Sequence, residues 1–291
     1  MPSERNRRKV KLGKCMTFLR KRVVPDLMPE RVGELMDVAM TTITRMESGH
    51  QAPNQHLLHA ILSLYNVSDA ERAEAIRLLK AAKQRVATVE HASDLALTYV
   101  DFRRNESEAV SERTMESAAI PGMLQTAGYA SAIADAAWPF NRKRPGGWEK
   151  RAADERQGRQ RLLTKDNPLQ LHAVIDEAVI CRVVGTAATM AEQLRHLLTV
   201  GEWPNVTVQI VPFAAGAYGA MSGSAIILGF DDDDDLGSVY LEYAAGGATV
   251  ENPEDVAAFI TTFDHVSQNV AFQPDRSADL IREALNRLEG R

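Results

Sequence analysis

The segment from Leu27 to Pro53 constrains the fold of this chain more than any other stretch. Its apolar residues recur at helical spacing, the pattern breaks at Asp37, and it resumes with Ile43 and Met46 three residues apart. Gly33 lies in the first of these two apolar stretches, where a Cβ would obstruct close approach of a second helix. The pattern predicts two short helices joined by a tight turn, an arrangement that places a row of side chains in the major groove of DNA.

The residues after this turn carry a family resemblance. The run T-I-T-R-M-E-S-G (42–49), followed by Pro53, resembles the S-x-I-S-R-I-E-N-G-x-x-x-P signature of Cro/repressor-type (XRE) helix-turn-helix domains. Gly49 in this run stands where a helix commonly ends in a left-handed residue. The resemblance implies DNA binding, and the alternative is an ordinary helical hairpin.

Five helices are expected in the amino-terminal part, about the size of a complete XRE-type domain. Asn54 is a predicted helix cap, and Ser68 with Glu71 has the form of a capping box. We therefore expect a DNA-binding domain over residues 1–82 and a linker or connector helix over residues 83–93. The expected helices cover residues 12–22, a segment opened by Pro29, Ala39–Glu47, Asn54–Tyr65 and Ser68 to about Ala82.

The XRE resemblance implies which side chains reach base edges. Carried onto this chain, these positions are Met40, Thr41, Thr44 and Arg45. Arg45 is able to make a bidentate contact to guanine O6 and N7, and Thr41 offers a hydroxyl and a methyl group. The alternative for Arg45 is a surface salt bridge with Glu47 or another neighbour.

Two departures from the XRE pattern weaken the expected base and phosphate contacts. Pro29 stands where many relatives have a glutamine that fixes a phosphate, and Met40 stands where many have a hydrogen-bond donor. A basic cluster is expected to compensate as a flexible arm on DNA phosphates, with a solvated, disordered tail as the alternative. This cluster consists of Arg5, Arg7, Arg8, Lys9, Lys11 and Lys14.

The charge of the chain is divided unevenly. Residues 1–90 carry 16 Lys/Arg and 10 Asp/Glu, whereas residues 91–291 carry 18 and 29, so the net charges are +6 and −11. A basic amino-terminal part and an acidic remainder suit a protein that binds the phosphates of DNA through its amino-terminal part only. The 291-residue length predicts two domains, and the absence of a long apolar run argues against a membrane span. Two widely separated cysteines and no secretory signal favour the cytoplasm.

The second part of the chain changes character along its length. Residues 94–165 have a mainly helical pattern, interrupted at Ile120-Pro121-Gly122, and strand patterns begin near residue 169. We expect a mixed α/β domain over residues 94–291, with parallel and antiparallel pairing left open. The expected strands are Leu169–Ile175, Val179–Val184, Asn205–Pro212, Ser224–Phe230 and Val239–Tyr243, and the expected helices are Thr189–Val200, Asn252–Gln268 and Ser277–Leu288.

Five sequence blocks in this part occur in a familiar order. They resemble an actinobacterial domain of unknown function that follows an XRE-type helix-turn-helix. The resemblance implies a sequence-specific transcriptional regulator whose C-terminal domain engages a small partner protein, and it implies no ligand or activity. The blocks are PGMLQTAGYA (121–130), RQGRQRLLT (156–164), AVIDEA (173–178), PNVTVQIVPFAAGA (204–217) and SVYLEYAAGG (238–247).

Three other clusters contain side chains that could support chemistry. His172 and Asp176 share one side of a predicted strand, but a metal needs a third ligand, and Asp176 with Glu177 more simply closes a turn between two strands. The run Asp231–Asp235 is typical of a solvated loop. The basic run Arg142–Lys165 suits an anion, a partner or flanking DNA, with a solvated helical face as the simpler expectation. No nucleotide-binding or nucleophile motif is present, so we expect no cofactor and no catalytic site.

The sequence thus predicts a DNA-binding regulator with an all-α head and an α/β sensor or partner-binding body. It is expected to act on double-stranded DNA as a homodimer, because one head reads only a half-site, and to respond to a small partner protein or a small-molecule effector. The first alternative is an antitoxin-like or phage-type repressor controlled by a neighbouring protein. The alternative of another class is an enzyme with an autoregulatory DNA-binding head.

Overall fold

The computed structural model of the protein divides into two compact units, Met1–Thr88 and Val89–Arg291. No helix among the residues described is long and apolar enough to cross a membrane. The structure describes residues 7–23, 27–84, 89, 92, 95–136, 148–219, 221, 223–231, 236–243 and 246–290. Most of the expected linker over residues 83–93 therefore lies outside the described residues.

The amino-terminal unit is helical, as predicted. Its helices pack around one apolar core, in which Met16, Ile43 and Leu58 are completely buried. Burial of such side chains is the main force that holds short helices together, since helices of this length are marginal in isolation. The five helices are α1 (Arg7–Lys21), α2 (Pro29–Leu35), α3 (Met40–Glu47), α4 (Gln55–Leu64) and α5 (Asp69–Ala82).

The predicted helix starts of α4 and α5 are confirmed by hydrogen bonds. The Asn54 Oδ1 atom accepts a hydrogen bond of 2.8 Å from the Leu57 amide at the start of α4. Ser68 and Glu71 form a reciprocal capping box at the start of α5. Each cap satisfies backbone amides that have no partner within the helix, which is why these positions are readable from local sequence.

Helix α1 starts earlier than the sequence pattern predicted. It begins at Arg7 instead of near Leu12, because Val10 is also buried and packs beside Gly49. Arg7, Arg8 and Lys9 are consequently helical residues, and the expectation of a flexible basic arm is wrong for them. Arg5 lies outside the described residues.

The C-terminal unit is a mixed α/β domain, as predicted, built on a six-stranded sheet. The strand order is β3-β2-β1-β4-β5-β6. The pairs β1–β2 and β2–β3 are parallel, and the pairs from β1–β4 to β5–β6 are antiparallel. The strands are β1 (Ser111–Glu116), β2 (Gln170–Asp176), β3 (Val206–Val211), β4 (Ala225–Gly229), β5 (Ser238–Tyr243) and β6 (Gly246–Val250).

Helices cover the two faces of this sheet unequally. One face carries a large core that includes residues of α6, α7, α10 and α12, and the other carries a smaller core with α11. A sheet buried on both faces explains the nearly continuous apolar sequence of β4. The helices are α6 (Leu97–Glu108), α7 (Ala127–Ala136), α8 (Trp148–Gln160), α9 (Glu177–Cys181), α10 (Ala187–Val200), α11 (Pro253–Asn269) and α12 (Pro274–Leu288).

Two strands were not predicted from the sequence. Strand β1 lies in the middle of the sheet, within the segment expected to be helical. Its sequence SERTME lacks an apolar run because its buried side chains include the polar Glu112 and Thr114. Strand β6 extends the sheet beyond the predicted Val239–Tyr243 strand. A strand that buries polar side chains gives neither the alternating nor the continuous apolar pattern on which strand prediction depends.

The predicted strand Val179–Val184 is wrong. Asp176 ends β2, and its Oδ1 atom accepts a hydrogen bond of 2.8 Å from the Ala178 amide, which starts the short helix α9. Asp176 therefore caps a helix instead of closing a turn between two strands. An aspartate cap redirects the backbone locally, and the β-branched residues that follow it do not override this start.

The PGMLQTAGYA block forms a packed corner. Met123, Leu124 and Tyr129 are all buried. The Tyr129 hydroxyl accepts a hydrogen bond from the Ile120 amide, and Gln193 of α10 donates to the Leu124 carbonyl. These buried polar contacts hold the segment between β1 and α7 in one conformation.

Candidate nucleic-acid interface

The turn between α2 and α3 is held by close backbone contacts. A Cβ on Gly33 would lie 2.8 Å from the Val38 carbonyl oxygen, so only glycine allows this approach. Asp37 adopts a left-handed conformation (φ 52°), and the Val38 amide donates to the Gly33 carbonyl. These contacts set the angle between the two helices and account for the break in the apolar pattern at Asp37.

Helix α3 has a clear division between its buried and exposed sides. Ile43 and Met46 are buried, as predicted. The four residues expected to reach base edges lie on the remaining surface: Met40, Thr41 and Arg45 are exposed and Thr44 is half-buried. The division matches what a helix needs in order to enter a major groove while anchored to its own domain.

The polar groups of this surface differ in how freely they can reach DNA. The Thr44 hydroxyl donates to the Thr41 carbonyl at 3.2 Å, so it is already engaged within the helix. The alternative reading of Arg45 as the salt-bridge partner of Glu47 is wrong, because Glu47 pairs with Arg20. No ion pair joins the Arg45 guanidinium to another described residue, so it is available for a base or a phosphate.

The ion pair between Arg20 and Glu47 positions the end of α3. Arg20 Nε lies 2.7 Å from Glu47 Oε1, and Arg20 Nη2 lies 3.0 Å from Glu47 Oε2. The Arg20 Nη1 group also donates to the Leu27 carbonyl at 2.5 Å. The two side chains are only 7% and 11% exposed, so α1, α3 and the segment before α2 are joined by buried, bidentate contacts. Sequence reasoning missed this pair because its members are 27 positions apart.

The start of α1 lies beside the end of α3. A Cβ on Gly49 would be 2.6 Å from a Val10 side-chain carbon, and a Cβ on Gly13 would overlap the Glu47 carbonyl oxygen. Arg7, Arg8 and Lys9, on the first turn of α1, are half-buried, and Arg8 Nη1 donates to Gln84 Oε1 at 2.9 Å. The structure therefore brings these predicted phosphate contacts near the carboxyl end of α3.

An acidic depression lies at the other end of α3. It has a volume of about 440 Å³ and is lined by Glu30, Glu34 and Asp37 together with Met40 and the turn backbone. Glu34 is paired with Arg31, and the carboxylates of Glu30 and Asp37 repel phosphate, whereas the basic turn of α1 attracts it. The surface around α3 is thus electrostatically polarised along the helix.

The polar side chains of the C-terminal unit that could support chemistry are engaged in structural contacts. His172 Nε2 lies 2.6 Å from Gln209 Oε1, and burial lowers the pKa of this histidine. Asp176 caps α9 with one oxygen and accepts from the Tyr218 hydroxyl with the other. Across the described part of the chain, no three His, Cys, Asp or Glu side chains converge on a possible metal position. Asp231 is exposed, and residues 232–235 lie outside the described residues.

The basic run over Arg142–Lys165 is not simply a solvated helical face. Arg159 of α8 is buried and pairs with Glu106 of α6, and Leu163 is buried in the core. Residues 142–147 lie outside the described residues. A buried arginine in a polar helix gives no sequence signal of its own, because its acidic partner is 53 positions away.

Comparison with known proteins agrees with the two-part organisation. A model described as a helix-turn-helix domain matches residues 6–75, and a model described as a domain of unknown function (DUF5753) matches residues 99–283. The helix-turn-helix match indicates a DNA-binding regulator. No curated protein and no solved structure matches the chain. Since the second model covers more than half of the chain, the protein belongs to the DUF5753 family, and in this member a helix-turn-helix domain precedes that domain.

Proposed function

We propose that the protein is a sequence-specific transcriptional regulator of the Cro/repressor type, which reads DNA as a homodimer through α3. The observation that carries this proposal is the exposed row Met40, Thr41 and Arg45 on a helix whose opposite side is buried and whose end is held by Arg20 and Glu47. A rigidly held helix keeps its base contacts in register, which favours discrimination between sequences.

Phosphate contacts are assigned to the basic side of this surface. Arg7, Arg8 and Lys9 lie near the carboxyl end of α3, and the acidic depression lies near its other end. The duplex backbone is expected to follow the basic side, because each phosphate that a Lys or Arg neutralises releases counterions and strengthens binding at low salt.

The C-terminal unit is proposed to bind a small partner protein or a small effector, without catalysis, and to change operator affinity. Its net charge of −11 over residues 91–291 disfavours a second DNA-binding surface. A coupling of ~1–3 kcal/mol, the usual range for allostery, would change operator affinity about 5- to 150-fold.

Two measurements test these assignments. The DNA sites of the full chain are first identified by selection from random duplexes and by chromatin immunoprecipitation. Arg45→Ala should then lose discrimination between selected and random duplexes, whereas Arg31→Ala, which removes the same charge from an exposed pair with Glu34, should keep it. Equal loss of affinity for both duplexes in Arg45→Ala would show that Arg45 contacts only phosphate.

The regulatory assignment has a separate test. Operator affinity is titrated with and without the protein encoded by the adjacent gene, and with small-molecule cell extract. A change in affinity that requires residues 91–291 supports the proposal. Unchanged affinity under every condition, with full regulation by a chain that lacks these residues, would refute it.

A further inference from the structure

A cluster of ionisable side chains is buried between α6, β1 and α8 of the C-terminal unit. Glu106 is 0% exposed, Glu112 is 1% exposed and Arg159 is 4% exposed. Ionisable groups are rarely so deeply buried unless they are paired, so each carboxyl group of the cluster needs either a cationic partner or a proton.

Two of the three carboxyl groups in the cluster have cationic partners. Arg159 donates from Nη2 to Glu106 Oε1 at 2.5 Å, and Arg103 Nη1 lies 2.9 Å from Glu106 Oε2. Arg103 Nε lies 2.7 Å from Glu155 Oε1, and the Tyr99 hydroxyl donates to Glu155 at 3.2 Å. The two guanidinium groups are therefore engaged by Glu106 and Glu155.

Glu112 is the third carboxyl group, and its situation differs. Its Oε2 atom is buried and has no hydrogen-bond partner among the residues that the structure describes. If it were ionised, it would add a third carboxylate to the two that already engage the guanidinium groups of Arg103 and Arg159, in a region that is largely shielded from solvent. A buried carboxyl group in such surroundings takes up a proton, because the charged form is poorly solvated. Burial, reinforced by the neighbouring Glu106 carboxylate, raises the pKa of Glu112 to about 8.

Other titratable groups lie on the same side of the sheet, and an experiment has to distinguish their titration from that of Glu112. One of them is Glu116 of the same strand: burial raises the pKa of Glu116 to about 7, while Thr114 and Ser224 stabilise its charged form by hydrogen bonds. Burial also raises the pKa values of Tyr99 and Tyr240. The groups that face the cluster are Tyr99, Arg103 and Glu106 of α6, Glu116 of β1, Glu155, Arg156 and Arg159 of α8, and Tyr240 and Glu242 of β5.

We propose that Glu112 keeps its proton at neutral pH and donates it in a hydrogen bond to Glu106, forming a proton-dependent latch that joins α6 and α8 to β1. Loss of this proton places two adjacent carboxylates in the core and favours separation of the two helices from the strand. The DUF5753 domain is thereby sensitive to pH through a buried group of its own.

The direction of the pH effect follows from linkage. The pKa of Glu112 is higher in the folded protein, at about 8, than its ordinary value of 4.5, so folding takes up a proton between these two values. The contribution to stability is fully present below the ordinary value and is lost as pH rises through the folded value. Across this window the unfolding equilibrium constant rises about tenfold per pH unit for one such group.

The first experiment uses the unmodified full-length chain. Its glutamate side-chain carbonyls are labelled with carbon-13, and their resonances are followed by NMR from pH 5 to pH 9. One carboxyl group should remain largely protonated at pH 7.5 and titrate near pH 8. A spectrum in which every glutamate has lost its proton by pH 7.5 would overturn the proposal whether or not a variant folds.

The second experiment assigns the proton with matched variants. Glu112→Gln should abolish the resonance that titrates near pH 8, and Glu116→Gln should keep it. In urea titrations followed by tryptophan fluorescence, the ratio of wild-type to Glu112→Gln unfolding constants should grow about tenfold per pH unit up to about pH 8, whereas the ratio for Glu116→Gln should stop growing near pH 7. A Glu112→Gln variant with the wild-type pH dependence, or one that retains the resonance, would refute the assignment.

Discussion

The two units of this protein each bury arginine–glutamate contacts, and they balance the charges differently. In the amino-terminal unit, Arg20 pairs with Glu47 and also donates to a backbone carbonyl. In the C-terminal unit, Arg103 and Arg159 pair with Glu106 and Glu155, and Glu112 is buried beside them. A balanced pair holds two helices together over a wide pH range, whereas an excess of carboxyl groups has to be neutralised by a proton. The Arg20–Glu47 pair therefore positions helices, whereas the cluster around Glu112 responds to pH.

The largest expected loss of stability concerns the buried cluster of ionisable side chains in the C-terminal unit. Arg159→Met leaves Glu106 with Arg103 as its remaining cationic partner, so the free energy of unfolding of the C-terminal unit should fall by about 3–5 kcal/mol, the range for breaking a buried ion pair. Tryptophan fluorescence reports this unit, because Trp138, Trp148 and Trp203 all belong to it. An unchanged urea midpoint would mean that the cluster does not hold α8 to the sheet.

Arg20→Met makes the matching change in the balanced pair. It removes the buried partner of Glu47, so we expect the free energy of unfolding to fall by about 3 kcal/mol, at the lower end of the same range. The loss should appear in urea unfolding followed by far-ultraviolet circular dichroism and leave the tryptophan transition in place. Operator affinity should fall as well, since the end of α3 is no longer held.

Arg22→Met is the control for this comparison. Arg22 pairs with Glu71, but the two side chains are 45% and 29% exposed, so its removal should lower the free energy of unfolding far less than the removal of Arg20. If Arg22→Met and Arg20→Met were equally destabilising, burial would not be what distinguishes the two pairs.

A substitution on the exposed side of α3 should have an effect of intermediate size, on discrimination between DNA sequences and not on folding. Arg45→Ala should reduce the preference for a selected duplex over a random one by ~1–3 kcal/mol and leave both unfolding transitions unchanged. Fluorescence anisotropy with both duplexes at two salt concentrations measures this preference. Should the variant unfold more readily than the wild type, Arg45 would have a structural role that its exposed position does not indicate.

The smallest effect concerns a local feature of the amino-terminal unit. Ser68→Ala removes the cap of α5 and should destabilise this unit by about 1 kcal/mol. Ser63→Ala is the control, because Ser63 lies inside α4 and its hydroxyl donates to the His59 carbonyl, where alanine is well tolerated. Thermal melting by circular dichroism compares the two, and a larger shift for Ser63→Ala would contradict the assignment of the cap.

Much of the amino-terminal unit was predictable because its determinants are close together in sequence. The caps at Asn54 and Ser68, the buried positions Ile43 and Met46, and the break at Asp37 all depend on residues within one or two helical turns. The start of α1 was misplaced because Val10 is buried by Gly49, which lies far along the chain. The base-reading residues remain a prediction that DNA binding has to test.

The sequence by itself determined the two-part organisation, the turn between α2 and α3 and the amphipathic pattern of α3, since these follow from local spacing and backbone preferences. Only the tertiary structure decided that SERTME is a central strand, that Asp176 starts a helix and that Arg159 is buried. Glu112, Arg20 and Arg159 look like ordinary surface residues in the sequence. Their roles depend on contacts with residues distant in sequence, because the pairing and protonation of a buried charge are set by the groups that folding brings around it.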